Sequence, residues 1–98
     1  MEKIKMKIDW HGIEKPVVEG ERVEYLDITM VVHPTVRANS IGQPQLIDGS
    51  FTVSEYNTGR SIACSAFSES AIEAAINIVS DQYDLVLDQI RKIPKLNP

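Results

Sequence analysis

Cysteine occurs once, at Cys64, so no disulfide can form within the chain, which suits a reducing compartment. Aromatic residues are few: one Trp, three Tyr and two Phe. Tyr25 and Tyr56 could stack nucleobases, but no RNA-binding sheet motif surrounds them. No apolar run approaches the ~18 residues of a membrane-spanning helix. The densest stretch, Ile28 to Val32, is interrupted by Thr29. Glycines stand singly, so no phosphate-cradling loop is present. Ser61, Ser65 and Ser68 lack the glycine-flanked elbow of a serine nucleophile, and no motif places a base beside them. Nothing here predicts an enzyme or a cofactor.

What is present is the composition of one folded domain, residues 1–98, with 43% apolar and 24% charged residues. The net charge of −4 weighs against nonspecific binding to nucleic acid or anionic membrane. Met1-Glu2-Lys3 runs into an alternating pattern rather than an apolar leader, so the expected location is cytoplasmic.

Ile4, Met6, Ile8 and Trp10 alternate with Lys3, Lys5 and Lys7, which predicts a strand with one apolar and one cationic face. Trp10-His11-Gly12 and Glu19-Gly20 read as turns, the second after a short strand at Val17-Val18. A long strand is expected from Glu21 to Val32, with Leu26, Ile28, Met30 and Val32 on one face. His33-Pro34 should end it, because proline cannot continue a central ladder. Residues 33–49 then form a long polar loop, within which Leu46-Ile47 before Asp48-Gly49 is as well suited to a hairpin strand as to coil. Phe51–Tyr56 and Arg60–Phe67 pair through the Asn57-Thr58-Gly59 turn. A single helix over 68–93 follows, capped by Ser70 or by Ser68 and carrying the apolar seam Ile72, Ile76, Val79, Tyr83, Val86, Ile90, Ile93. The fold class is therefore α+β: an antiparallel meander of four to five strands over 2–67, one face covered by the long C-terminal helix.

Three groups of residues are candidates for contacts. The 33–49 loop offers Arg37, Asn39, Ser40, Gln43 and Gln45 to a partner, since long loops in small domains are functional or mobile. Glu69, Glu73, Asp81, Asp84 and Asp88 fall in a stretch without any basic residue and form either an acidic docking ridge or a plain solvated helix face. Ile78, Leu85 and Leu87 widen the helix's apolar arc beyond what one sheet shields, so a homodimer contact is expected there; coverage by the 33–49 loop is the alternative. Lys3, Lys5 and Lys7, with Arg22 near, could follow a phosphate backbone or merely decorate a solvent face. His11, His33, Asp48 and Cys64 have no zinc-motif spacing, and Cys64 reads as a buried filler.

Tyr56-Asn57-Thr58-Gly59-Arg60-Ser61-Ile62-Ala63, followed by Ser68-Glu69-Ser70-Ala71-Ile72-Glu73-Ala74-Ala75, resembles small uncharacterised accessory proteins of phages and prophages. These show a strand, a Thr-Gly turn, a second strand and an alanine-rich helix. The likeness covers about a quarter of the chain and carries over no binding residue. It implies a phage accessory protein working in the host cytoplasm, a class that includes inhibitors of restriction and CRISPR systems. The expected function is non-enzymatic protein binding. Alternatives are a nucleic-acid-associated module using Lys3, Lys5, Lys7 and Arg37, or a structural and assembly subunit.

Overall fold

The computed structural model describes residues 2–10 and 15–97; the Trp10-His11-Gly12 turn falls largely outside them. The chain is α+β. Five strands, β1 (Lys3–Lys7), β2 (Val17–Tyr25), β3 (Ile28–Ala38), β4 (Pro44–Glu55) and β5 (Ser61–Ser65), form one antiparallel sheet in sequence order. Two helices follow, α1 (Ser68–Asp81) and α2 (Tyr83–Lys92). Among the described residues no helix is long and apolar enough to cross a membrane.

Both faces of the sheet are packed. On one, Ile28, Met30, Val32 and Val53 meet Ala71, Ala75 and Val79 of α1. The small alanines let that helix lie close over β5 and β4. On the other, Met6, Ile8, Val18 and Val31 form a second cluster, with Tyr56 and Val36 against it. Alternation in β1 works as its sequence dictates: Met6 and Ile8 are buried while Lys3, Lys5 and Lys7 are exposed.

The long strand expected over 21–32 is instead a hairpin. Leu26 and Asp27 turn the chain with φ of 51° and 65°, a left-handed pair normally filled by Asn and Gly. Two turn residues shift the parity of the alternation, so Val23 and Tyr25 join Ile28 and Met30 on the α1 face. Val31, left on the other face, is completely buried there. Gly20 is no turn but a strand residue. A Cβ there would collide with the Val32 carbonyl and approach Val31 Cγ1 to 2.8 Å, so the side chain is absent because two strands press together.

Nor does Pro34 end its strand. β3 continues to Ala38, with Pro34 at an irregularity: Pro34 stands opposite Phe51 but Val36 opposite Leu46. Ile47, Asp48, Gly49 and Ser50 thus oppose Thr35 alone. The Asp48-Gly49 turn signal is spent on this bulge, where Gly49 has φ +76°, rather than on a hairpin end. Residues 33–49 are therefore mostly strand, and only 39–43 form a loop.

The hairpin expected around Asn57-Thr58-Gly59 forms, with Gly59 at φ +71°, but its connection is longer than three residues. β4 ends at Glu55, whose N–H donates to the Arg60 carbonyl, β5 starts at Ser61, and the register between them shifts at Ile62. Buried Glu55 holds the turn by accepting hydrogen bonds from the Asn57 and Thr58 amides at 2.7 and 2.8 Å. The expected single helix over 68–93 is divided at Gln82, although helical bonding passes through: Gln82 N–H donates to Ile78 and Val86 N–H to Gln82. Phe67 occupies the N-cap of α1, so neither Ser68 nor Ser70 makes a side-chain cap bond. After α2 the chain returns to the sheet. Asn97 accepts from Lys7 N–H at 2.8 Å and donates to the Lys7 and Tyr56 carbonyls at 2.8 and 2.7 Å.

Candidate functional site

β2 pairs with β3 only as far as Val32, and β5 pairs with β4 only as far as Phe51. Beyond those points β3 and β4 have just each other, so Val36–Ala38 and Pro44–Leu46 project as a two-stranded arm. Its tip is built by Asn39, whose Oδ1 accepts from the Ile41 and Gln43 amides at 3.0 Å each. Gly42, at φ +80°, completes the turn. Asn39 is thereby a structural residue. Arg37, Ser40, Gln43 and Gln45 are exposed, and Arg37 makes no ion pair among the described residues. Sequence reading missed the arm's apolar content: Ile41 is 74% and Leu46 56% exposed.

A second concavity, about 490 Å³, opens on the sheet face opposite α1. Its lining includes His33, Thr35, Thr52 and Ser54, together with Asp9, Trp10 and Ser61 to Cys64. The bulge at Thr35 brings its hydroxyl within 2.8 Å of both Ser50 and Thr52. His33 Nδ1 lies 2.8 Å from the Pro34 carbonyl, which can only accept. Nε2 is then free to accept from Ser54 Oγ, also at 2.8 Å. Burial pushes the His33 pKa below its ordinary value, opposed by the Pro34 carbonyl, so the ring is neutral. This is the pairing of a serine nucleophile with a base, but His33 is 2% and Ser54 1% exposed. A substrate carbonyl cannot reach the hydroxyl. The polar floor uses its hydrogen bonds internally, with no buried side-chain polar atom unpartnered among the described residues.

The other candidates separate. Cys64 is exposed at the edge of this cleft rather than a core filler. His33 and Cys64 line the cleft and Asp48 lies in the β4 bulge, while His11 is outside the described residues. Among the described residues no three His, Cys, Asp or Glu groups gather. Lys3 and Lys5 stand opposite Glu21 and Glu19 in register, and Arg22 pairs with Glu24, lowering that carboxyl's pKa through their hydrogen bond. Tyr25 and Tyr56 are half-buried against the two cores.

On the helices, Glu69, Glu73, Asp81 and Asp84 are exposed, but the break at Gln82 divides them into two sets. Asp88 bonds to Lys92 one turn on, at 2.9 Å. Of the expected dimer residues, Ile78 and Leu85 are exposed, while Leu87 is partly buried against the main core. Phe67, at the N-cap of α1, is 71% exposed. Compared with known proteins, the chain matches no family model, no curated protein and no solved structure.

Proposed function

We propose that the chain is a non-enzymatic protein-binding accessory protein, of the kind phages encode to inhibit a host defence system, and that it engages its partner in the host cytoplasm through the β3–β4 arm. One observation carries this reading: the arm extends past its neighbouring strands with Ile41 exposed at its tip and Leu46 exposed at its base opposite Val36, among Arg37, Gln43 and Gln45. An apolar pair ringed by polar groups is the make-up of a protein contact, the apolar atoms supplying energy and the rim supplying register. The sealed Ser54–His33 pair supports the non-enzymatic part.

A double variant, Ile41→Ser with Leu46→Ser, tests it. Its melting temperature should stay close to that of the wild type, because both side chains are more than half exposed. In pull-downs from host lysate, a protein retained by the wild type should be lost by the variant. Equal capture by both removes the arm from the reading.

A further inference from the structure

The cleft beside Thr35 and Thr52 has a volume of about 490 Å³, within the ~300–1,000 Å³ of small-molecule sites. Ile8, Val36, Ile62 and the indole of Trp10 give its lining an apolar part, and a few polar groups reach it between them. Apolar walls with a small number of directed polar groups hold and orient a small ligand.

Two of those polar groups belong to a chain of three hydroxyls. Thr35 Oγ1 lies 2.8 Å from Ser50 Oγ and 2.8 Å from Thr52 Oγ1. Each of the three has a partner, yet three protons serve only two bonds, so one proton is left over. When Ser50 donates to Thr35, the spare proton is carried by Thr35 or Thr52, and both line the cleft. Each residue is 8% exposed, a setting in which an unmet donor strongly favours an acceptor. Ser54 differs, because its proton is committed to His33 Nε2.

The charge left uncompensated at the cleft is positive. Arg37 lines it, is exposed, and makes no ion pair among the described residues. Asp9, which also lines it, is already met by Lys15 at 3.3 Å and Arg60 at 3.9 Å. Arg37 follows Thr35 by two positions on β3, about 6–7 Å along the strand, so one small molecule can touch both. A guanidinium and a hydroxyl donor suit a group with one negative charge and two oxygens, which is a carboxylate. A phosphate monoester brings nearly two charges and three oxygens, more than this lining answers.

We infer that the cleft binds a small organic carboxylate, its acid group between the Arg37 guanidinium and the Thr35 and Thr52 hydroxyls, its apolar part against Trp10, Ile8 and Ile62. Binding is non-covalent, and the sealed Ser54–His33 pair takes no part in it. Ile41 and Leu46 are not in the lining, so this proposal and the one for the arm stand or fall independently.

Trp10 is the only Trp of the chain, so its indole N–H gives a single resonance in a nitrogen–proton NMR spectrum. Benzoate is the probe, and benzamide, of nearly the same shape without the charge, is its control. Benzoate should move the Trp10 indole and the Thr35, Arg37 and Thr52 amides along one saturable curve, with a Kd of about 1 mM, ordinary for so small a ligand. Benzamide should bind about tenfold more weakly. Arg37→Gln, an exposed change that leaves the folded spectrum in place, should weaken benzoate by about tenfold. Thr35→Val with Thr52→Val removes the spare proton and should weaken it as well. The inference is overturned if benzoate at about 10 mM, ten times that Kd, moves none of these resonances or moves only others. Benzamide binding as tightly as benzoate, or either variant binding benzoate as the wild type does, overturns it too.

Discussion

Replacing Asn97 by Ala tests whether the end of the described chain is a structural clamp. The side chain is 5% exposed and joins three backbone groups, the Lys7 N–H, the Lys7 carbonyl and the Tyr56 carbonyl. A neutral hydrogen bond of this sort contributes about 1 kcal/mol net. Lys7 is exposed, so water can replace part of what Asn97 gives it. The expected loss is therefore about 2 kcal/mol rather than the full sum. For a domain of this size that lowers the melting temperature by roughly 10 °C. Asn97→Asp should be worse than Ala at neutral pH, because a carboxylate oxygen would then face two carbonyl oxygens, and should recover part of the loss on acidification. Urea unfolding at pH 7, followed by circular dichroism, measures both variants. A loss below about 0.5 kcal/mol for Asn97→Ala, the level of an ordinary surface substitution, would refute the clamp.

Three further outcomes follow from the geometry. His33 has a folded-state pKa below its ordinary 6.5, so on acidification the unfolded chain takes up the proton first. Stability should fall as pH drops below about 6.5, and His33→Gln should flatten that slope in unfolding curves collected from pH 7 to 5. Val53→Ala, at a fully buried position, should cost about 2 kcal/mol, against no more than about 0.5 for Leu85→Ala at 54% exposure; equal midpoints in urea would contradict the packing. Gly20→Ala, which elsewhere in a strand is mildly favourable, should here destabilise by at least about 1–3 kcal/mol by forcing β2 off the Val32 carbonyl, as thermal melts would show.

The strands were legible wherever a period of two met an ordinary turn. β1, and the hairpin around Asn57-Thr58-Gly59, needed nothing from the rest of the fold. The errors came where backbone conformation ran against residue preference. Leu26-Asp27 carries no glycine or asparagine, so the hairpin between β2 and β3 left no turn signal, and the apolar pattern appeared to run through it. Asp48-Gly49 carries a turn signal and yet makes a bulge, because β3 persists opposite it beyond Pro34. Arg37, Gln43 and Gln45 were expected in a loop, but β3 and β4 persist through Arg37 and Gln45, so they lie on a two-stranded arm whose form depended on that persistence. Asn97 gave no signal, since its partners lie 90 and 41 positions away. The seam was legible past the break at Gln82, since Tyr83, Val86 and Ile90 still pack on the core, and Leu87 beside them packs there as well.

The strand order β1-β2-β3-β4-β5 bears on how the protein folds in time. Each ladder joins strands adjacent in sequence, so each closes a short loop at small entropic cost, and the sheet can grow hairpin by hairpin. The junction of Lys7 with Asn97 is the opposite case, spanning 90 positions and closing only when the strands and both helices are in place. A contact of that kind is expected to form after the folding barrier has been crossed. Its loss should leave the refolding rate nearly unchanged and appear as faster unfolding. The sheet therefore sets how quickly the protein arrives at its native state, and the returning tail sets how long it stays there.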